Sequence, residues 1–269
     1  MNSSHPALDL AAHPIIAHRG GGGLAPENTI PAFARALELG AEVLELDVRA
    51  TADGVPVVIH DPTLDRTTDR RGAVAKLTLQ QIQQADAGAR FTTDGGRSFP
   101  FRGKGIAVPT LADVLDAFPE AKLLIELKTA AVQSAVRRLL EEDQAAARCV
   151  LAAADEAALA AFRAPPFHVA ASGPETGRLF RGSLLGGAPV AVSYHCLSVP
   201  LRYRGIPVAT RRFIALARGL GVPVHVWTVD HPDTARRLWR RGVAGIVTNR
   251  PDLMLPARAA HFPSERAVE

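Results

Sequence analysis

Aromatic residues are scarce in this chain. Phe, Trp and Tyr make up 5% of it, with two Trp and two Tyr. That is too few for the stacking platforms on which single-stranded nucleic acid is bound. Cysteine is as rare. Cys149 and Cys196 lie far apart in apolar runs, form no Cys-x-x-Cys and give no disulfide framework. Both read as small buried apolar residues. No apolar run approaches the ~18 residues of a membrane-spanning helix. Met1 to Leu10 lacks the basic start and apolar core of a secretory signal. These absences point to a cytoplasmic protein with no stable membrane insertion and no nucleic-acid partner.

What is present is ordinary for a folded chain: 47% hydrophobic and 22% charged residues over 269 positions. That length suits one α/β barrel, typically about 250 residues. The formal net charge is +4, and the basic residues are scattered, with short clusters at Arg211-Arg212 and Arg236-Arg237. A solvated basic surface plus one anion site accounts for such a distribution.

Residues 1–13 read as a short tail and 257–269 as another. Between them, apolar runs of strand length alternate with helical periodicity. The strand candidates are 14–18, 42–48, 123–128, 150–153, 168–172, 190–195, 223–228 and 245–248. Helical patterns cover 29–39, 110–118, 132–142, 211–219 and 234–241, with Gly40, Gly221 and Gly242 as stops. Eight strands alternating with helices predict an α/β fold, a (β/α)8 TIM barrel over 14–256. A doubly wound open sheet is the competing architecture; it normally carries a Gly-rich phosphate turn into its first helix. The rhythm breaks after the second strand. A further strand-like piece, 56–60, leads into residues 61–108, rich in Gly, Pro, Thr, Asp and Arg. This reads as a small insertion over one end of the barrel, with a short helix over 77–82.

Barrel active sites lie at the C-terminal ends of the strands, so the polar residues that end the apolar runs carry the functional information. Strand one delivers His18-Arg19-Gly20. Strand two places Glu45 and Asp47 two residues apart, hence on one face. The piece Val57-Val58-Ile59 ends in His60-Asp61, and strand three ends in Glu126-Leu127-Lys128. Singly, each has a plain structural reading: a solvated strand face, a hydrogen-bonded histidine, an ion pair. Together, ionisable groups gather at one end of separate strands. Carboxylates converging in a barrel mouth repel unless a cation neutralises them. Oxygen-only ligands suit a hard divalent cation, Mg2+ or Ca2+. Arg19 and Lys128 then fit an anionic substrate group.

The ordered strings His18-Arg19-Gly20, Pro26-Glu27-Asn28-Thr29, Glu45-Leu46-Asp47-Val48 and His60-Asp61-Pro62-Thr63-Leu64-Asp65-Arg66-Thr67-Thr68 resemble the glycerophosphodiester phosphodiesterase family. The likeness continues through Val108-Pro109-Thr110-Leu111, Ile125-Glu126-Leu127-Lys128, Val226-Trp227-Thr228-Val229 and Thr248-Asn249-Arg250-Pro251. It implies hydrolysis of small-molecule glycerophosphodiesters to glycerol 3-phosphate and an alcohol. His18 and His60 would be the catalytic pair, Glu45, Asp47 and Glu126 the metal ligands, and Arg19 and Lys128 phosphate contacts. The same set would serve a lysophospholipase D-like enzyme on larger lipid diesters. A non-catalytic phosphodiester-binding barrel is the reading from another class; a missing histidine or ligand would signal it, and none is missing. Two departures stand out. Asn249 occupies a position where the family usually has Asp, which alters hydrogen bonding behind the site. Residues 20–23 are all glycine, which suggests a widened or loosened first loop.

Trp227 ends strand seven and reads either as an apolar wall beside the substrate or as rim packing. Phe33 reads as core. His168, His195 and His225 read as structural; His5, His13 and His231 as surface residues. Asn28 is the expected N-cap of the first helix. Glu27 is placed to position the site, and Asp61 to order its loop.

Overall fold

The structure, a computed structural model, describes residues 5–187 and 191–263. Its strands are β1 (Ile15–Ala17), β2 (Val43–Ala50), β3 (Pro56–Val58), β4 (Leu123–Leu127), β5 (Cys149–Ala152), β6 (His168–Val169), β7 (Leu197–Pro200), β8 (Arg202–Tyr203), β9 (Ile206–Pro207), β10 (Val224–Trp227) and β11 (Gly245–Thr248). The helices are α1 (Ile30–Leu39), α2 (Leu79–Ile82), α3 (Leu111–Ala117), α4 (Gln133–Glu142), α5 (Gly173–Leu185), α6 (Arg211–Gly219), α7 (Pro232–Trp239) and α8 (Pro251–His261). Eight parallel strands run in the order β6-β5-β4-β2-β1-β11-β10-β7. A parallel bridge from Ala170 to Cys196 joins the two ends and closes the barrel.

Local chemistry sets the element boundaries. Thr29, not Asn28, caps α1, accepting from the amide of Ala32, and Gly40 ends the helix at φ 98°. Thr110 with Asp113, Ser172 with Glu175, and Thr78 with Gln81 form reciprocal capping boxes for α3, α5 and α2. Alternation along the strands divides the core in two. Ile15, Leu44, Leu46, Ile125 and Leu151 point outward to the helix layer, which contributes Phe33, Leu115, Leu140 and Phe213. Ile16, Val43, Leu124, Val150, Ala170, Cys196 and Val247 point inward and fill the barrel floor, joined by Ala7. Both cysteines are buried, and burial pushes each thiol up to about 12.

Several expectations need correction. The sixth barrel strand is Leu197–Pro200; Val190 lies outside the described residues, and 191–195 is not strand. His5 is buried, not a surface residue. It sits under the barrel floor, with Nδ1 accepting from the amide of Ala7 at 3.2 Å and Nε2 3.3 Å from the Leu123 carbonyl oxygen. His13 is half-buried and stacks on Phe262, with ring centroids 4.0 Å apart. His225 is fully buried and donates from Nε2 to the carbonyl of Ala7 at 2.8 Å, which ties the N-terminal segment into the floor. At the other end, α8 carries helix through His261, with Met254 and Ala257 buried.

The insertion begins at β3, which pairs antiparallel with the C-terminal end of β2, Val48 opposite Val58. Residues 61–108 therefore cover the mouth of the barrel rather than its floor. They pack on a small core of their own: Val57, Ile59, Leu64, Val74, Ile82, Ala85, Ala87 and Val108. Among the described residues, no helix is long and apolar enough to cross a membrane.

Candidate active site

The two-residue step that lines the floor also builds the mouth. From inward-facing Val43, β2 steps to Glu45 and Asp47; from Leu124, β4 steps to Glu126 and then Lys128; from Ile16, β1 steps to His18. Apolar layers lie below and ionisable residues above. Asp47 and Glu126 are register partners on adjacent strands. One oxygen from each of Glu45, Asp47 and Glu126 lies within 4.8 Å of the others.

At that spacing, each pair of ionised carboxylates repels by at least about 3.5 kcal/mol at an effective dielectric of ~20. The consequence falls on Glu45. Burial, and then the charges of Asp47 and Glu126, hold its pKa well above the usual carboxylate range. Burial also works against ionised Asp47, but Lys128, Arg19 and Asn28 outweigh it and keep that pKa low. Lys128 Nζ is 2.7 Å from Asp47 Oδ1 and 2.9 Å from Glu126 Oε1. Burial disfavours its charge, yet the two carboxylates raise its pKa. The amide of Asn28 donates to Asp47 Oδ2 at 2.9 Å and its oxygen accepts from the Asp47 backbone at 3.3 Å.

Each imidazole is fixed at Nδ1. His18 Nδ1 lies 2.7 Å from Asn249 Oδ1, and the Asn249 amide in turn donates to Asp230 Oδ2 at 2.9 Å. His60 Nδ1 lies 2.7 Å from Asp61 Oδ1. Neither Nε2 has a partner among the described residues. Burial and the neighbouring Arg19 lower the His18 pKa against the Asn249 bond and the charges of Asp47 and Glu27.

A chain of ion pairs joins the two histidine loops. Arg19 bonds Glu27 at 2.8 Å; Arg66 bonds Glu27 at 2.7 Å and Asp61 at 2.7 Å. Arg49 donates to the His60 carbonyl at 2.8 Å. Arg19 itself has φ 53° and gives its backbone N–H to Glu45 Oε2 at 2.9 Å. Its Nε is buried without a hydrogen-bond partner, 3.3 Å from Asp47. Counted as ionised, the carboxylates Glu27, Glu45, Asp47, Asp61, Glu126 and Asp230 exceed the cations Arg19, Arg49, Arg66 and Lys128 by two. One divalent cation cancels that excess of negative charge. The donor set, all carboxylate oxygen, fits a hard cation of this kind.

The glycine run does not loosen the first loop. A Cβ on Gly20 would stand 2.8 Å from Phe33 Cδ1, and one on Gly23 would stand 2.8 Å from Arg250 Cδ and 2.9 Å from the Asn249 carbonyl. These glycines let the loop press against α1 and the loop after β11, where Gly23 N–H donates to the Asn249 carbonyl at 3.1 Å. Trp227 is 41% exposed on the rim of β10, so it is not core packing; β11 and β1 separate its strand from β2. Sequence reasoning missed Asn28, Arg49, Arg66 and Asp230 as contributors. Asn28 and Arg66 lie within quoted motifs and Asp230 adjoins one, but only the folded positions aim them at Asp47, at Glu27 and Asp61, and at Asn249.

The fold and site together define an α/β barrel with an acidic, cation-complementary mouth. The chain belongs to the glycerophosphoryl diester phosphodiesterase family, whose sequence model matches residues 18–253. A relative named glycerophosphodiester phosphodiesterase, from Caldanaerobacter subterraneus subsp. tengcongensis, is 32% identical over 249 residues, spanning 90% of this chain and 96% of that one. Among solved structures, the glycerophosphoryl diester phosphodiesterase domain of a Mycobacterium tuberculosis protein has a TM-score of 0.81 at 26% identity, covering 93% of this chain and 99% of that one. The glycerophosphodiester phosphodiesterase of Agrobacterium tumefaciens has a TM-score of 0.70 at 29% identity, covering 91% and 99%.

Proposed function

We propose that this chain hydrolyses glycerophosphodiesters to glycerol 3-phosphate and an alcohol. Glu45, Asp47 and Glu126 would hold a divalent cation, Mg2+ or Ca2+, and His18 and His60 would act as the acid–base pair. The observation that carries the reading is the carboxylate cluster with an Nδ1-anchored imidazole at each end of the Arg19–Glu27–Arg66–Asp61 chain. The named activity of the relatives supports the substrate class.

When bound, the cation supplies a Lewis-acid contact to a phosphate oxygen and offsets charge in the transition state. Arg19 and Lys128 add donors to the same phosphate. Anchoring Nδ1 leaves Nε2 to do the proton work. One histidine accepts a proton from the attacking oxygen and the other, protonated, gives one to the departing alkoxide. Attack by water or by the neighbouring glycerol hydroxyl draws on the same pair. The exposed indole of Trp227 offers an apolar wall for the alcohol.

The test is release of glycerol 3-phosphate from a panel including glycerophosphocholine and glycerophosphoethanolamine. His18→Ala and His60→Ala should each lose turnover while keeping fold and metal affinity. Near-normal turnover by either variant refutes that residue's role.

A further inference from the structure

We infer that the β8–β9 hairpin is an interfacial anchor that seats the mouth of the barrel on an anionic phospholipid surface. The inference rests on the proposed function only in taking the barrel mouth as the place where phosphodiesters are bound. The hairpin grows from the catalytic rim. Pro200 at the end of β7 is in register with Trp227, and Leu201 N–H donates to the Trp227 carbonyl at 2.9 Å. Residues 202–207 are all exposed, while Val208 and Ala209 behind them are buried and fix the base. Tyr203 and Ile206 are cross-strand partners, so their side chains share one face. They are 61% and 58% exposed, and the 41% exposed Trp227 lies beside the base of the hairpin.

A polar loop tip would be the ordinary solution for a protein surrounded by water alone. Here the tip carries an aromatic and a β-branched residue, and its charges are of one sign. Arg202, Arg204, Arg211 and Arg212 are exposed, and residues 201–212 contain no carboxylate. None of the four arginines forms an ion pair among the described residues. Arg204 lies over the Tyr203 ring at 5.6 Å, and Arg202 donates to the Gly205 carbonyl at 2.8 Å, stiffening the turn. Tyrosine favours the headgroup region, and an isoleucine beside it reaches the acyl boundary. Each arginine near an anionic surface multiplies partitioning by roughly fivefold. Charge complementarity therefore selects an anionic bilayer over a neutral one.

The experiment is co-sedimentation of the full chain with vesicles of phosphatidylcholine alone or mixed with phosphatidylglycerol, at low and high salt. The wild-type chain should pellet with the mixed vesicles at low salt, and much less with phosphatidylcholine alone or at high salt. The pairs Tyr203→Ser with Ile206→Ser, and Arg204→Ser with Arg211→Ser, should each weaken that binding at least tenfold. Turnover of soluble glycerophosphocholine should be unchanged in both. Wild-type protein that stays in the supernatant overturns the inference, as do variants that bind like the wild type. Lipid-independent dimerisation lost in Tyr203→Ser with Ile206→Ser overturns it in favour of a second copy as the occupant. Vesicle binding without turnover would leave the anchor standing and refute the proposed activity instead.

Discussion

Asn249 Oδ1 faces His18 Nδ1 at 2.7 Å because Asp230 holds the other side of the same amide. A carboxylate only accepts, so the Asn249 NH2 must point at Asp230 and its oxygen at His18. The imidazole then donates from Nδ1 and keeps its lone pair on Nε2. Asp230 also accepts from the Asn249 backbone at 2.7 Å and from Thr248 Oγ1 at 2.9 Å, so it is itself held in place.

This relationship predicts the outcome of an exchange. Asn249→Asp alone places a second carboxylate against Asp230, and on the proposed role of His18 kcat should fall about 10–100-fold. Adding Asp230→Asn restores one amide and one carboxylate in reversed order and should recover most of the loss. The readout is kcat on glycerophosphocholine for the single and double variants. Normal kcat in Asn249→Asp would mean that Asp230 does not set the orientation.

Asn28 clamps Asp47 from a left-handed backbone, φ 59°. Asn28→Gly keeps that conformation accessible and removes the clamp; Asn28→Ala also adds backbone strain of about 1 kcal/mol. Both should weaken divalent cation binding by roughly 10–100-fold in calorimetric titration. Only Asn28→Ala should also lower thermal stability noticeably.

Arg66 bridges Glu27 and Asp61, and through Asp61 it steadies the His60 ring. Its side chain is 47% exposed, so Arg66→Ala should change unfolding stability by no more than about 1 kcal/mol. Turnover should fall by about tenfold because both histidine loops lose a shared partner. A large stability loss with unchanged kcat would assign Arg66 to structure alone.

Burial pushes the pKa of His5 and His225 beneath the floor down to about 4 from 6.5. His5 Nδ1 accepts from the amide of Ala7, so a proton there would face a donor. Because the folded state resists protonation, the unfolded chain binds more protons between these values. Stability is therefore intact above pH ~6.5 and declines toward pH ~4, by about 3 kcal/mol for each histidine. Thermal melts across that window should show a steep decline, made shallower by His5→Gln. A variant with the wild-type slope would exclude His5 as a source.

The barrel and its acidic cluster were legible because both follow from strand alternation. Val43-x-Glu45-x-Asp47 and Leu124-x-Glu126 each state an inward face before any coordinates are known. The eighth helix and the depth of the N-terminal segment were not. Ala7 and His5 are buried only because the Leu123 and His225 segments, over a hundred residues away, close over them. The sixth strand is obscured in the sequence because the run through His195 mimics a strand, while Pro200 masks the true one, where pairing leaves a proline tolerable only at its end. Sequence alone does not separate Asn28 from Thr29 as the cap, because Asn and Thr both cap helices well; the positive φ that releases Asn28 toward Asp47 comes from tertiary structure.

The central measurement is turnover of glycerophosphocholine by wild-type protein and by Glu45→Gln, with chelator and then with added Mg2+ or Ca2+. Chelation should abolish glycerol 3-phosphate release from the wild type, and excess cation should restore it. Glu45→Gln should need far more cation for the same rate. Full activity in excess chelator, or a Glu45→Gln variant with unaltered cation dependence, would contradict the cation-centred site.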